Sequence, residues 1–316
     1  MGPVKNIFVI NPCAGQGKGL DQLEKEILEA SEKVGAETEI YYTKAVGDSE
    51  VFARSVAQNL GEGEKVRLFA CGGDGTINEV VNGTFGYDNV EVGAFPIGTG
   101  NDYIRNYGTS KEFMNVENQL LGEAQKADLV KYSGTMDGEE KVRYCANMFN
   151  IGFDCNVVDK TAEMKQKPLI SGSFAYLMSV AAILIKKKGA NLRISVDGKL
   201  VHRGPNLLCA IANGSYCGGG VYSSPQASTR DGLMDVNVIL DMSRGKFIKL
   251  FPSYKKGTHF DVKGIENVVK AFPCKEAVVE PLDGTMRLCV DGEICTAGVI
   301  KMEVVPKAMN FVVPKK

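Results

Sequence analysis

The chain has 316 residues, 44% of them apolar and 24% charged, with a formal net charge of −1; this is ordinary for a protein with a proper core, and long enough for two domains. That charge gives no global basis for binding nucleic acid, and no run of about eighteen apolar residues argues for a membrane-spanning helix. The start, MGPVKNIFVINP, enters a strand without a signal-peptide layout, and Asn6 stands where a myristoylation motif wants Ser or Thr.

In chain order, VKNIFVI (4–10) predicts a strand, and GLDQLEKEILEASEKVG (19–35) a helix with Leu20, Leu23, Ile27, Leu28 and Val34 at helical spacing. ETEIYYT (37–43) predicts a second strand, and DSEVFARSVAQNL (48–60) a helix with Asp48 as its N-cap. KVRLFAC (65–71) and VEVGAFP (90–96) are further strands. Between them Thr76 is placed to cap a helix, INEVVNG, that turns Ile77, Val80 and Val81 to the core and leaves Asn78 near the preceding loop. Strands alternating with helices imply parallel pairing with helices on both faces, an α/β domain over residues 1–130.

Beyond it the texture changes. DLVKYSG, KVRYCANMFNIGF, NLRISVDGKLV, PNLLCAIANG, LMDVNVIL, AVVEPLDG, MRLCVDG and VIKMEVVP read as short strands, punctuated by Asp137-Gly138, Asp197-Gly198 and Asp291-Gly292. They predict an antiparallel, largely all-β domain over 131–304, interrupted by a helix, SGSFAYLMSVAAILIKKKG (171–189). Nine cysteines without a C-x-x-C pair, and only two histidines (His202, His259), point to reduced thiols in a cytoplasmic protein rather than zinc or disulfides.

Three strand ends in the first domain carry glycine-rich loops: NPCAGQGKG (11–19), GGDGT (72–76) and PIGTGND (96–102). In a parallel sheet the strand C-termini share one edge, where ligands bind. Glycine turns let backbone N–H groups approach phosphate oxygens, and the following helix N-termini favour anions. Neither the Walker A pattern nor G-x-G-x-x-G is met, because Pro12 and Leu20 stand at required glycines. Asp74 is the odd member. A carboxylate among phosphate-cradling amides needs a partner, which places it in a phosphate and Mg²⁺ environment.

GGDGTINEVVNG together with PIGTGNDYIRN resembles the diacylglycerol kinase catalytic-domain family, most closely its bacterial soluble lipid kinases, with sphingosine kinases as relatives. GGGVYSSPQASTRDGLMDV (218–236), VDGE (290–293) and VVPKAMNFVVP (304–314) extend the resemblance over almost the whole chain. It implies an N-terminal α/β domain with a parallel, Rossmann-like sheet of the NAD kinase and diacylglycerol kinase type. A C-terminal antiparallel β-sandwich is implied to follow, with residues 305–316 returning to the first domain. ATP is expected in the cleft, contacted by Asn11, Pro12, Gly15, Thr43, Gly72, Gly73, Asp74, Gly75, Thr76, Asn78, Gly98, Thr99, Asn101 and Asp102. Asp231, Ser228 and the carbonyl of Leu233 are the implied ligands of a structural Mg²⁺, and Glu293 is the implied base. Ala14 and Gln16 depart from the small hydroxyl and basic residues frequent in the family's first loop.

The implied reaction is transfer of the γ-phosphoryl group to a lipid hydroxyl, above all that of diacylglycerol to give phosphatidic acid. Asp291 and Glu293, two apart, would point the same way on a regular strand, a carboxylate pair able to tune a base; a plain hairpin turn is the alternative. Asp231-Gly232 carries the same alternative of a simple turn. Two other readings stay open: phosphorylation of a soluble substrate such as NAD, and a nucleotide-binding module without catalysis. A lipid acceptor demands peripheral contact with a membrane surface. The helix over 171–188, with Lys186–Lys188 at its end, is either the interfacial element or a helix packed on the sandwich. The resemblance also leaves a homodimer open.

Overall fold

The computed structural model describes residues 4–17, 19–152, 155 and 189–316. The helix expected over 171–188 lies outside the described residues. The chain divides into two compact units, Met1–Leu129 with Thr229–Asp231 and Val305–Lys316, and Val130–Ser228 with Gly232–Val304.

In the first unit, β1 (Lys5–Ile10), α1 (Leu20–Val34), β2 (Thr38–Tyr42), α2 (Asp48–Gln58), β3 (Val66–Gly72), α3 (Asp74–Thr84) and β4 (Val90–Pro96) alternate. The strands pair in the order β2-β1-β3-β4, all parallel. The last strand, β14 (Glu293–Val313), adds its C-terminal end beside β4 through Asn310 and Phe311, again in parallel. Every residue of β3 is buried, as expected of a central strand covered on both faces. Phe8 stacks on Phe69 with ring centroids 4.7 Å apart, and Phe95 meets both rings. On α1, Leu23, Ile27 and Ser31 face inward four residues apart, whereas Leu28 is 55% exposed.

Two expected caps are corrected. Gly47 is the N-cap of α2, and Asp48 is its first residue; the Asp48 carboxylate instead accepts from the Lys44 N–H at 2.8 Å and the Tyr41 hydroxyl at 2.9 Å. Gly73 is the N-cap of α3, which starts at Asp74, so Thr76 sits inside its first turn. Ile77, Val80 and Val81 are buried.

In the second unit β5 (Glu123–Met136) leads in from the first and forms a hairpin with β6 (Glu139–Cys145). Then come β7 (Met148–Gly152), β8 (Ala190–Val196), β9 (Lys199–Ala212), β10 (Met234–Leu240), α6 (Arg244–Lys256), β11 (Val269–Cys274), β12 (Glu276–Pro281) and β13 (Met286–Val290). Two long strands each serve two neighbourhoods. The start of β9 pairs with β8 and its end with β7 and β10. Residues 293–297 of β14 pair with β13, and 300–303 with β12. With β7 on β13 and β8 on β12, six antiparallel strands close a circuit around Phe149, Ile194, Ile211, Val279, Leu288 and Ile300.

The three Asp-Gly turns have left-handed dihedrals at both residues, with φ between 46° and 51° for Asp137, Asp197 and Asp291, as a two-residue hairpin of the right twist requires. Each aspartate also reaches a neighbouring strand: Asp137 accepts from the Thr296 N–H, and Asp197 from those of Lys275 and Glu276.

Sequence patterning misses α6 and β11. The helix buries Phe247, Leu250 and Tyr254 at spacings of three and four, but Pro252 and five basic residues obscure the period. Ser243 caps it by accepting from the Lys246 N–H, and Gly257 ends it at φ 73°. His259 lies buried against Tyr254 and Phe260, and its Nδ1 has no hydrogen-bond partner among the described residues.

Burial pushes the His259 imidazole down to about 4, against a weaker opposing pull from Asp261. The folded state therefore binds fewer protons than the unfolded one between pH about 6.5 and 4. Its contribution is complete above that window and is lost as pH falls through it, by on the order of 3 kcal/mol. Urea unfolding at pH 7 and 4.5 checks this: His259→Leu should remove much of the wild-type loss, and an unchanged loss would contradict it.

Candidate active site

The ends of β1, β3 and β4 bring the three glycine loops into contact. Gly98 N–H donates to the Gly72 carbonyl at 3.0 Å, and a Cβ on Gly98 would lie 2.8 Å from Gly73 N. A Cβ on Gly15, at φ 58°, would come 2.8 Å from the Ile97 carbonyl oxygen. A Cβ on Gly72 would meet the Thr76 Cβ at 2.6 Å. Real Cβ atoms do not tolerate such distances, so these positions admit only glycine without local movement.

Polar groups complete the lock. Asp74, at the first position of α3, accepts from the Asp102 N–H at 2.8 Å and the Tyr103 N–H at 2.9 Å. It thus ties the second loop to the third, with Gly100 leaving room: a Cβ there would be 2.9 Å from the carboxylate. The Asn11 side chain accepts from the Cys13 N–H at 2.9 Å, shaping the first loop, and donates to Thr76 Oγ1 at 3.4 Å. Asn101 adopts φ 55° and donates through Nδ2 to the carbonyls of Gly98 and Pro96; its buried Oδ1 has no partner among the described residues. Thr43 is buried and donates its N–H to Ile10, so it sits at the end of β2 beside β1. Pro12 lies in the turn after Asn11 and Thr99 is exposed at the third loop's tip; Gly75 follows Asp74 in α3. Asn78 is buried one turn into α3 and accepts from Asn82 Nδ2.

Asp291 and Glu293 are not a pair. Residue 291 is in the left-handed region rather than extended, so the i, i+2 rule for a strand does not apply. Asp291 is buried and accepts from three successive backbone N–H groups, of Ala146 (2.9 Å), Asn147 (3.0 Å) and Met148 (3.0 Å), and from the Cys145 thiol. Burial and then the charge of Asp291 push the Cys145 thiol up, keeping its proton for that bond. This anchorage also breaks the single strand expected over 141–153 into β6 and β7 at Ala146–Asn147. Glu293 is exposed at the start of β14, opposite Val290.

Asp231 is exposed and Ser228 and Leu233 half-buried, in a turn fixed by neighbours. The Thr229 carbonyl accepts from the Asp128 N–H, its hydroxyl accepts from Tyr107, and Arg230 donates to Gln125. No group of three or more His, Cys, Asp or Glu side chains that could hold a metal occurs among the described residues. The expected set has one carboxylate, a hydroxyl and a carbonyl, hard oxygens of the kind that suit Mg²⁺ with water completing its shell.

Some supporting residues carry no sequence signal. Gln119 is fully buried and donates to the carbonyls of Ala94 and Phe113, bracing β4 behind the third loop. Asn147 accepts from the N–H groups of Asn213 and Gly214, and the Asn213 side chain donates to the Ala146 carbonyl. Only the repeated Asn beside strands in CANMFNIG and AIANG hints at this cluster.

Gly98→Ala is a direct probe of the interlock. It should cost about 1–3 kcal/mol of stability and weaken ATP binding at least tenfold, because the added methyl must part the second and third loops. Calorimetric titration with ATP checks it; unchanged affinity would show that the loops need not touch.

Residues 5–132 match the diacylglycerol kinase catalytic domain, and residues 147–313 match the YegS C-terminal NAD kinase beta sandwich-like domain. Diacylglycerol kinase of Bacillus subtilis (strain 168) is 28% identical over 290 residues, covering 90% of this chain and 88% of its own. A crystal structure of a diacylglycerol kinase from Bacillus anthracis aligns over 98% of this chain and 96% of its own, with TM-score 0.69 and 19% identity. Yeast NADH kinase aligns with TM-score 0.51 and 13% identity over 100% of this chain and 84% of its own. These structural likenesses give the two-domain fold, with a β-sandwich as the second domain. The chain belongs to the diacylglycerol kinase catalytic-domain family and is a lipid kinase.

Proposed function

We propose that the enzyme uses ATP and Mg²⁺ to phosphorylate the free hydroxyl of diacylglycerol, giving phosphatidic acid and ADP. The observation that carries this reading is the interlocked set of loops at the ends of three parallel strands, where Gly15, Gly73 and Gly98 leave only backbone at the surface. Backbone N–H groups at the loop glycines other than Gly98, whose N–H is held by the Gly72 carbonyl, suit the oxygens of a polyphosphate together with the N-terminus of α3. The reading places the nucleotide on residues 1–130 with 305–316 and the acceptor on 131–304.

In this scheme the acceptor oxygen attacks the γ-phosphorus, the bond to the β–γ bridging oxygen breaks with its electrons leaving on ADP, and Glu293 takes the hydroxyl proton. Its exposed position at the head of β14 leaves the carboxylate accessible. Asp291 acts as a positioning residue, because its three amide contacts fix the turn that presents Glu293. Asp74 supports the cradle by holding the third loop against the second. Ser228, Asp231 and the Leu233 carbonyl would hold a structural Mg²⁺, whose charge would stiffen the turn that carries them.

The test uses labelled ATP with diacylglycerol in mixed micelles, and NAD as a parallel acceptor. Labelled phosphatidic acid is the expected product; labelled NADP with no lipid product would contradict the acceptor. Glu293→Gln should lower turnover by at least a hundredfold with ATP affinity within about twofold of wild type. Full activity of that variant would remove Glu293 as the base.

A further inference from the structure

No helix among the described residues is long and apolar enough to cross a membrane, yet one surface of the second unit has the chemistry of a bilayer contact. Five of the thirteen residues of α6 are Lys or Arg and none is acidic, in a chain whose overall charge is −1. Phe247, Leu250 and Tyr254 turn inward onto the cluster formed with Val221, Ile239, Ile265 and Val268. That contact fixes which face looks outward. At 100° per residue, Gly245, Ile248, Lys249, Pro252 and Lys256 lie opposite the buried stripe, with Lys255 on its border.

This outward face is neither a plain solvated one nor a core face. Ile248 is 58% exposed, and Val262, in the turn beyond the helix, is 39% exposed with Lys263 beside it. Lys246, Lys249, Lys255, Lys256 and Lys263 have no carboxylate within 4.0 Å among the described residues. On a typical surface helix such lysines alternate with glutamates at i, i+4, which lowers the local potential. Pro252 has no N–H for the Ile248 carbonyl, so on this same face a backbone acceptor is also left to the surroundings. The face thus offers ammonium groups without a contacting carboxylate around a few apolar side chains, with Asp261 and Glu266 exposed on the turn that carries Val262 and Lys263.

We propose that the outward face of α6, with Val262 and Lys263, docks the protein on an anionic phospholipid bilayer. Charge complementarity selects the occupant. Headgroup phosphates pair with the lysines, whose long stems let the ammonium groups stay at headgroup level while Ile248, Pro252 and Val262 enter the interface. A nucleic acid would take the charge but offer nothing to the exposed Ile248 and Val262, and among the described residues no exposed aromatic ring on this face provides a stacking platform. The lipid-kinase reading supplies the use for such a contact, since its acceptor resides in a bilayer; the docking itself stands on the residues of α6.

The experiment is sedimentation with vesicles, without ATP, so that its result does not depend on catalysis. The full chain should bind vesicles containing phosphatidylglycerol and not pure phosphatidylcholine, and should be released by 1 M NaCl. Lys249→Gln, Lys255→Gln and Lys256→Gln together should weaken binding by on the order of a hundredfold, about fivefold per lysine. The corresponding triple Lys→Arg variant should keep it. Thermal unfolding shows whether each variant is folded, and phosphorylation of a short-chain diacylglycerol dispersed in detergent should be unchanged by either triple. Equal binding to neutral vesicles, wild-type binding by the Gln triple, loss of binding in the Arg triple, or tighter binding to duplex DNA than to anionic vesicles would each overturn the proposal. Failure to phosphorylate any lipid, with vesicle binding intact, would count against the function proposed above and leave the docking surface standing.

Discussion

The close approach of Gly73 to Gly98, locked by the Asp74 carboxylate on the amides of Asp102 and Tyr103, is the constraint on which the site depends. A carboxylate at a helix N-terminus is already favoured by the local field, and two charge-assisted hydrogen bonds add to it. Part of the Asp74 acceptor capacity is therefore used by the loop it secures. The same bonds tie the third loop to the N-terminus of α3. Preorganisation of this kind lowers the ordering cost of binding a flexible polyphosphate.

A second aspartate plays a similar part in the second unit. Asp291 gathers three consecutive amides and a thiol proton, an arrangement that replaces strand pairing at the junction of β6 and β7. The catalytic reading of VDGE and the hairpin reading are therefore compatible. The turn is real, its aspartate is structural, and the glutamate that follows it is the exposed group. Asp137 and Asp197 use the same device with fewer partners, so a left-handed Asp-Gly turn serves three times as a staple between strands.

Much of the first unit is legible because its signals are local. Strand and helix alternate with clear changes of period, and the glycine loops fall where parallel strands end. What is not legible depends on partners distant in sequence. Nothing near residue 291 announces amides 143 to 145 positions upstream, so the break inside CANMFNIGF passes as a continuous strand. Asp48 and Thr76 have the chemistry of caps, but glycines one or more residues earlier start those helices and free both side chains for other contacts. The helix at 244–256 is hidden by Pro252 and by lysines that only its buried side explains. The closed circuit of strands is equally silent, because it requires β9 and β14 to change partners midway.

Hydrogen–deuterium exchange with and without a non-hydrolysable ATP analogue and Mg²⁺ tests the central claim most directly. The account predicts slowed exchange together at residues 13–17, 72–76 and 98–103, with no change at the Asp137-Gly138 and Asp197-Gly198 turns, which share the glycine geometry but not the cradle. Protection confined to one of the three loops, or absent from all of them despite saturating nucleotide, would contradict it.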